Sequence, residues 1–85
     1  MIDASVHRRF DVATRAADPF AALVNLARAL KTEGMTQREM VDFFSLKHGE
    51  HLEDVEDTIR DMIADAAGCV SGHCASSWRV FDTVL

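Results

Sequence analysis

Apolar positions recur along this chain at the three-and-four spacing of helices, and glycine or Asp-Pro punctuation interrupts them. Ile2, Val6, Phe10, Ala13 and Ala17 form one stripe and predict a first helix over about 3–17. Asp3 or Ser5 could cap its start. Asp18 precedes Pro19, and a residue before proline is driven out of the α region. Asp18 is therefore the expected N-cap of a second helix, with Pro19 at the first helical position, where its missing N–H costs nothing. That helix is expected from Pro19 to about Glu33 and carries Phe20, Leu23, Val24, Ala27 and Leu30 on its buried stripe. Arg28 and Lys31 suit the negative end of its dipole, and Gly34 is the expected left-handed stop.

A capping box opens the third helix. Thr36 is the N-cap and Glu39 lies three residues on, while Met35 and Met40 have the spacing of a hydrophobic staple. Met40, Phe43, Phe44 and Leu46 are its candidate core residues, and Gly49 is the expected stop. The fourth helix is expected from His51 to about Ala67, closed by Gly68. Leu52, Val55, Ile59, Met62, Ile63 and Ala66 form its apolar stripe. Glu53, Asp54, Glu56, Asp57, Asp61 and Asp65 occupy the other face, relieved only by Arg60.

Residues 68–77 are small and loop-like, and the chain then turns apolar at Trp78, Val80, Phe81, Val84 and Leu85. Trp78, Phe81 and Leu85 would share one face of a short helix, although period alone leaves helix and strand both open there. The pattern predicts an all-α fold, a compact bundle of about four short helices. Short turns favour antiparallel neighbours. The apolar C-terminal segment packs either on the core or on a second subunit, since small cores often need oligomerisation.

The 85 residues read as one domain over 1–85. A chain of this size buries roughly 60–65% of the surface its unfolded form exposes, so its core is modest. The formal charge of −5 disfavours nonspecific binding to nucleic acid and to anionic membranes, and it is compatible with a basic protein partner. The first nine residues lack the continuous apolar core of a secretory signal, and no run approaches the roughly 20 apolar residues of a membrane span. The expected compartment is the cytoplasm, where two cysteines would be reduced.

Cys69, His73 and Cys74 are the cluster with ligand chemistry. Thiolate and imidazole suit zinc, but zinc wants four ligands and this spacing matches no familiar pair of ligand motifs. His48 and His51 are tempting donors, yet a straight fourth helix would set His51 and Cys69 roughly 25 Å apart. His7 could contribute only if the first helix reached that end. The alternative reading makes the cysteines small buried hydrophobes under Trp78. A nucleophilic cysteine would need a base and a lowered pKa, and the carboxyl end of a helix, the negative end of its dipole, opposes a thiolate at Cys69. No catalytic residue and no cofactor is expected.

The turn at Gly34, followed by Gln37 and Arg38, has a superficial helix-turn-helix look. Residues 18–48 balance Arg28, Lys31, Arg38 and Lys47 against Asp18, Glu33, Glu39 and Asp42, so the basic footprint of a nucleic-acid binder is missing. Calcium is a poor fit to carboxylates on a helix without the loop spacing and central glycine. Paired-carboxylate catalysis would need a pocket that an exposed helix face does not give.

The acidic run remains the strongest surface signal, with seven carboxylates and one arginine from Glu50 to Asp65. Such a run is commonly a solvated face. As function it would dock a basic partner through Glu53, Asp54, Asp57, Asp61 and Asp65. The reading by elimination is a small acidic, non-catalytic protein-interaction module, regulatory or inhibitory. Trp78, Phe81 and Leu85 are its candidate homodimer contacts. The competing readings are a metal- or thiol-dependent protein using the Cys69–Cys74 loop and a helix-turn-helix-like nucleic-acid binder.

Overall fold

The computed structural model describes residues 4–50, 57–73, 78–81 and 84. Among them are four helices and no strand: α1 (Ala4–Thr14), α2 (Pro19–Thr32), α3 (Gln37–Glu50) and α4 (Asp57–Ser71). The all-α expectation therefore holds. α1 packs on α2, α2 on α4, and α4 on α3. The Cα radius of gyration is 11.7 Å, against about 12 Å expected for a folded domain of this length.

The central punctuation forms as the sequence predicts. Asp18 caps α2 through its carboxylate, which accepts from the Ala21 N–H at 3.2 Å. Gly34 adopts φ 106° beyond the end of α2. There the Gly34 N–H donates to the Lys31 carbonyl and the Met35 N–H to the Leu30 carbonyl, both at 3.0 Å, which is the Schellman arrangement. The capping box closes reciprocally: the Thr36 N–H donates to Glu39 Oε1 at 3.1 Å and the Glu39 N–H to Thr36 Oγ1 at 3.2 Å. The Thr36 backbone N–H, and then its hydroxyl, hold the Glu39 carboxyl below its ordinary pKa.

The core is a layer of side chains from all four helices. Val6, Phe10, Leu23, Val24, Leu30, Met40, Phe43, Phe44, Ile63 and Val70 are buried in it. Phe10 carries α1 onto α3, meeting Phe43 and Phe44 edge-on with ring centres 5.4 Å from each. Such edge-to-face pairs add about 0.5–1.5 kcal/mol beyond area burial. Leu26 is also buried, which widens the α2 stripe.

Several boundaries move. α1 ends at Thr14, leaving Ala17 exposed in the turn, and Ser5 lies inside the helix rather than capping it. Leu46 is 56% exposed, and Lys47 takes the inward position instead, at 5% exposure. Its four-carbon stem lets it cover apolar surface, with Nζ 5.7 and 5.8 Å from the Phe10 and Phe43 ring centres and 3.4 Å from Glu50 Oε1. Neither Gly49 nor Gly68 stops its helix: α3 continues to Glu50 and α4 to Ser71. Gly72, at φ 90°, follows the true end of α4.

The described part of the tail is neither helix nor strand, so Trp78 and Phe81 do not share a helical face. Val80 is instead pinned to the bundle. Its N–H donates to the Cys69 carbonyl at 3.1 Å, and its carbonyl accepts from Lys31 Nζ at 2.9 Å. The last carbonyls of α4 thus find partners outside the helix ladder. Gly68 O accepts from the His73 N–H and the Ser71 hydroxyl, and Val70 O accepts from Gln37 Nε2 at 3.1 Å. Phe81 packs against the core, under Lys31.

Arg9 ties α1 to the end of α2 by two bonds to the Glu33 carboxylate, at 2.9 and 2.7 Å. The Arg9 hydrogen bond lowers the Glu33 pKa. A carboxyl with a depressed folded-state pKa stabilises the fold above the ordinary glutamate range, and that contribution disappears as pH falls through the depressed value. The effect is small because the pair is exposed. Urea midpoints of the wild type should exceed those of Arg9→Met near neutral pH, and the gap should close on acidification below about pH 4. A gap that stayed constant with pH would show that the pair does not act through this charge.

Candidate functional site

The amino end of α2 and the carboxyl half of α4 leave a groove of about 380 Å³ between them, open to solvent and lined by Phe20, Ala64, Asp65, Gly68, Cys69 and His73. Pro19 and the Asp18 cap place Phe20 at the start of α2. On α4, Ala64, Asp65, Gly68 and Cys69 fall on one side of two successive turns. Trp78 stands against one lining residue: its ring meets Phe20 edge-on at 5.1 Å, and it remains 41% exposed.

Three of the sequence-predicted residues come together here, Asp65, Cys69 and His73. Cys69 is not in a loop. It lies in the last turn of α4 and is 1% exposed, so its side chain belongs to the core while contributing to the groove floor. His73 is exposed beyond Gly72. Cys74 lies outside the described residues. Among the described residues no three His, Cys, Asp or Glu side chains are grouped to hold a metal ion. The His7 ring packs edge-on against Phe43 at 5.2 Å, committed to the contact between α1 and α3, and His48 is part-buried on α3.

Of the acidic set, Asp61 and Asp65 are exposed on α4. Asp57 opens the described helix, although its side chain, like all of Glu53, Asp54 and Glu56, lies outside the described residues, as do His51 and Leu85. Asp61 and Asp65 are one turn apart, and neither falls in the first or last turn of α4.

A smaller crevice of about 200 Å³ lies between α1 and the end of α2, lined by Arg9, Leu30, Glu33 and Met35 among others. Its Arg9 is already held by Glu33. Among the described residues no helix is long and apolar enough to cross a membrane. No family model matches the chain, and comparison with curated proteins and with solved structures likewise returns no match.

The groove was not foreseen from the sequence because its two walls are distant in the chain. One signal pointed toward it. Val70 continues the stripe of Ile63 and Ala66, which extends α4 past Gly68 and brings Cys69 into the helix.

Proposed function

We propose that this protein is a small acidic, non-catalytic interaction module that docks a basic protein through the outer face of α4. The observation that carries this reading is the position of Asp61 and Asp65, exposed on the side of α4 opposite the buried Ile63, Ala66 and Val70. The formal charge of −5 extends the same field over the molecule and favours encounter with a cationic surface. The pinning of Val80 and Phe81 to the chain's own core supports a module in which the tail completes the fold.

The test is capture from native lysate by the immobilised chain, with and without nuclease, beside the variant Asp61→Lys/Asp65→Lys. The reversal should leave helicity intact, because both positions lie away from the helix ends where the dipole acts. A stoichiometric basic protein that survives nuclease and is lost with the variant is the expected result. Capture abolished by nuclease would favour the nucleic-acid reading instead. Capture unchanged by the reversal would reduce the acidic face to solvation.

A further inference from the structure

We infer that the groove between α2 and α4 is the anchor point for that partner, and that it takes a linear segment in which an arginine or lysine adjoins a leucine, methionine or aromatic residue. The inference rests on the interaction-module reading and adds a place and a ligand chemistry to it.

The floor is apolar. Phe20, Ala64, Gly68 and Cys69 contribute to it, and the half-exposed Trp78 stands against Phe20. Exposed aromatic rings beside a concave apolar surface are the usual setting for an anchoring side chain. The volume lies within the roughly 300–1,000 Å³ of ligand sites, but the groove is open, which suits one side chain of an extended segment better than an enclosed small molecule.

The rim selects charge. Asp65 lines the groove with an exposed carboxylate, and Asp61 lies one turn away. The carboxyl end of α4, the negative end of its dipole, is at the same place. The amino end of α2 would oppose a cation, but the Asp18 carboxylate sits on it. A second copy of this chain fits poorly. An isologous contact through this groove would bring its own Asp65 against the first, in a chain already at −5.

Gly68 adds an independent observation. A glycine inside a helix costs about 0.8–1.0 kcal/mol relative to alanine. A Cβ built on Gly68 would meet nothing within 4 Å, so core packing does not require the glycine. What its missing side chain does provide is open space in the groove floor.

A phage-displayed library of random linear peptides, panned on the full chain, tests the inference. The expected outcome is an enriched family pairing a basic residue with a large apolar one. A synthetic peptide of that consensus should alter the fluorescence of Trp78, the single tryptophan of the chain. Ala64→Phe, which fills the groove from an exposed position, should weaken that peptide about tenfold or more. Asp65→Asn should weaken it and flatten its salt dependence. Gly68→Ala should raise thermal stability while lowering affinity, a combination that a purely structural glycine would not give. Enriched peptides without basic residues, no enriched family, or affinity unchanged in Ala64→Phe would overturn the inference. Concentration-dependent dimerisation of the chain that Ala64→Phe abolishes would also overturn it, in favour of a second copy. Partner capture lost in Asp61→Lys/Asp65→Lys but retained in Ala64→Phe would leave the acidic-face reading standing without the groove.

Discussion

Replacing Phe10 with alanine should destabilise this protein by about 3–5 kcal/mol, the range for removing a fully buried aromatic ring. Domains hold roughly 0.05–0.15 kcal/mol per residue, so about 4–13 kcal/mol covers a chain of this length. The substitution therefore removes a large share of the total. Phe10 is fully buried and touches both Phe43 and Phe44, so the vacated space lies where α1 meets α3. α1 packs mainly on α2, and partial collapse of α1 into the gap would strain that second contact. The melting temperature should fall by roughly 4–8 °C for each kcal/mol lost. Thermal unfolding followed by circular dichroism checks this. A change of only a few degrees would mean that α1 is not integral to the core.

Lys47→Glu should cost about 3–5 kcal/mol, the penalty for an uncompensated charge in a buried site. The wild-type ammonium lies over the faces of Phe10 and Phe43 and near Glu50. A carboxylate there would meet the negative faces of the two rings and a like charge on Glu50. Lys47→Met keeps the apolar stem and removes the charge, and it should unfold within about 1.5 kcal/mol of the wild type. Urea unfolding of the pair separates the roles. Equal destabilisation by Glu and Met would show that the ammonium itself matters, and little effect from either would contradict the buried placement of Lys47.

Where a single residue dictates local backbone geometry, the structure was legible in the sequence. Asp18 before Pro19, Gly34, and the Thr36–Glu39 pair all act within four residues of themselves, and each does what local chemistry requires. Helical period made part of the stripes legible: Val6, Phe10 and Ala13 on α1, Leu23, Val24, Ala27 and Leu30 on α2, and Ile63 and Ala66 on α4 are buried, while Ile2, Leu52 and Val55 lie outside the described residues. Lys47 was not legible, because a charged residue enters a core only where aromatic faces and a carboxylate from other turns receive it. Gly49 and Gly68 misled because glycine disfavours a helix by only about 1 kcal/mol, which packing of the neighbouring residues outweighs. Gly72, held by the bond from the His73 N–H to the Gly68 carbonyl, marks the end instead.

The candidate site followed the same division. Asp61 and Asp65 could be placed on the outer face of α4 from periodicity alone, and they are exposed there. The groove could not, because Phe20 and Gly68 are brought together only by the packing of α2 on α4. The tail was open to two readings in the sequence. The hydrogen bonds from the Val80 N–H to the Cys69 carbonyl and from Lys31 Nζ to the Val80 carbonyl decide how it lies on the bundle, and neither leaves a periodic trace.

One titration tests docking through the acidic face of α4: the dissociation constant of the partner captured from lysate, measured for the wild type and for Asp61→Lys/Asp65→Lys at low and high salt. The variant's complex should be at least about tenfold weaker at low salt, and the difference should shrink as salt screens the charges. Equal dissociation constants at low salt, with both proteins folded, would contradict docking through Asp61 and Asp65.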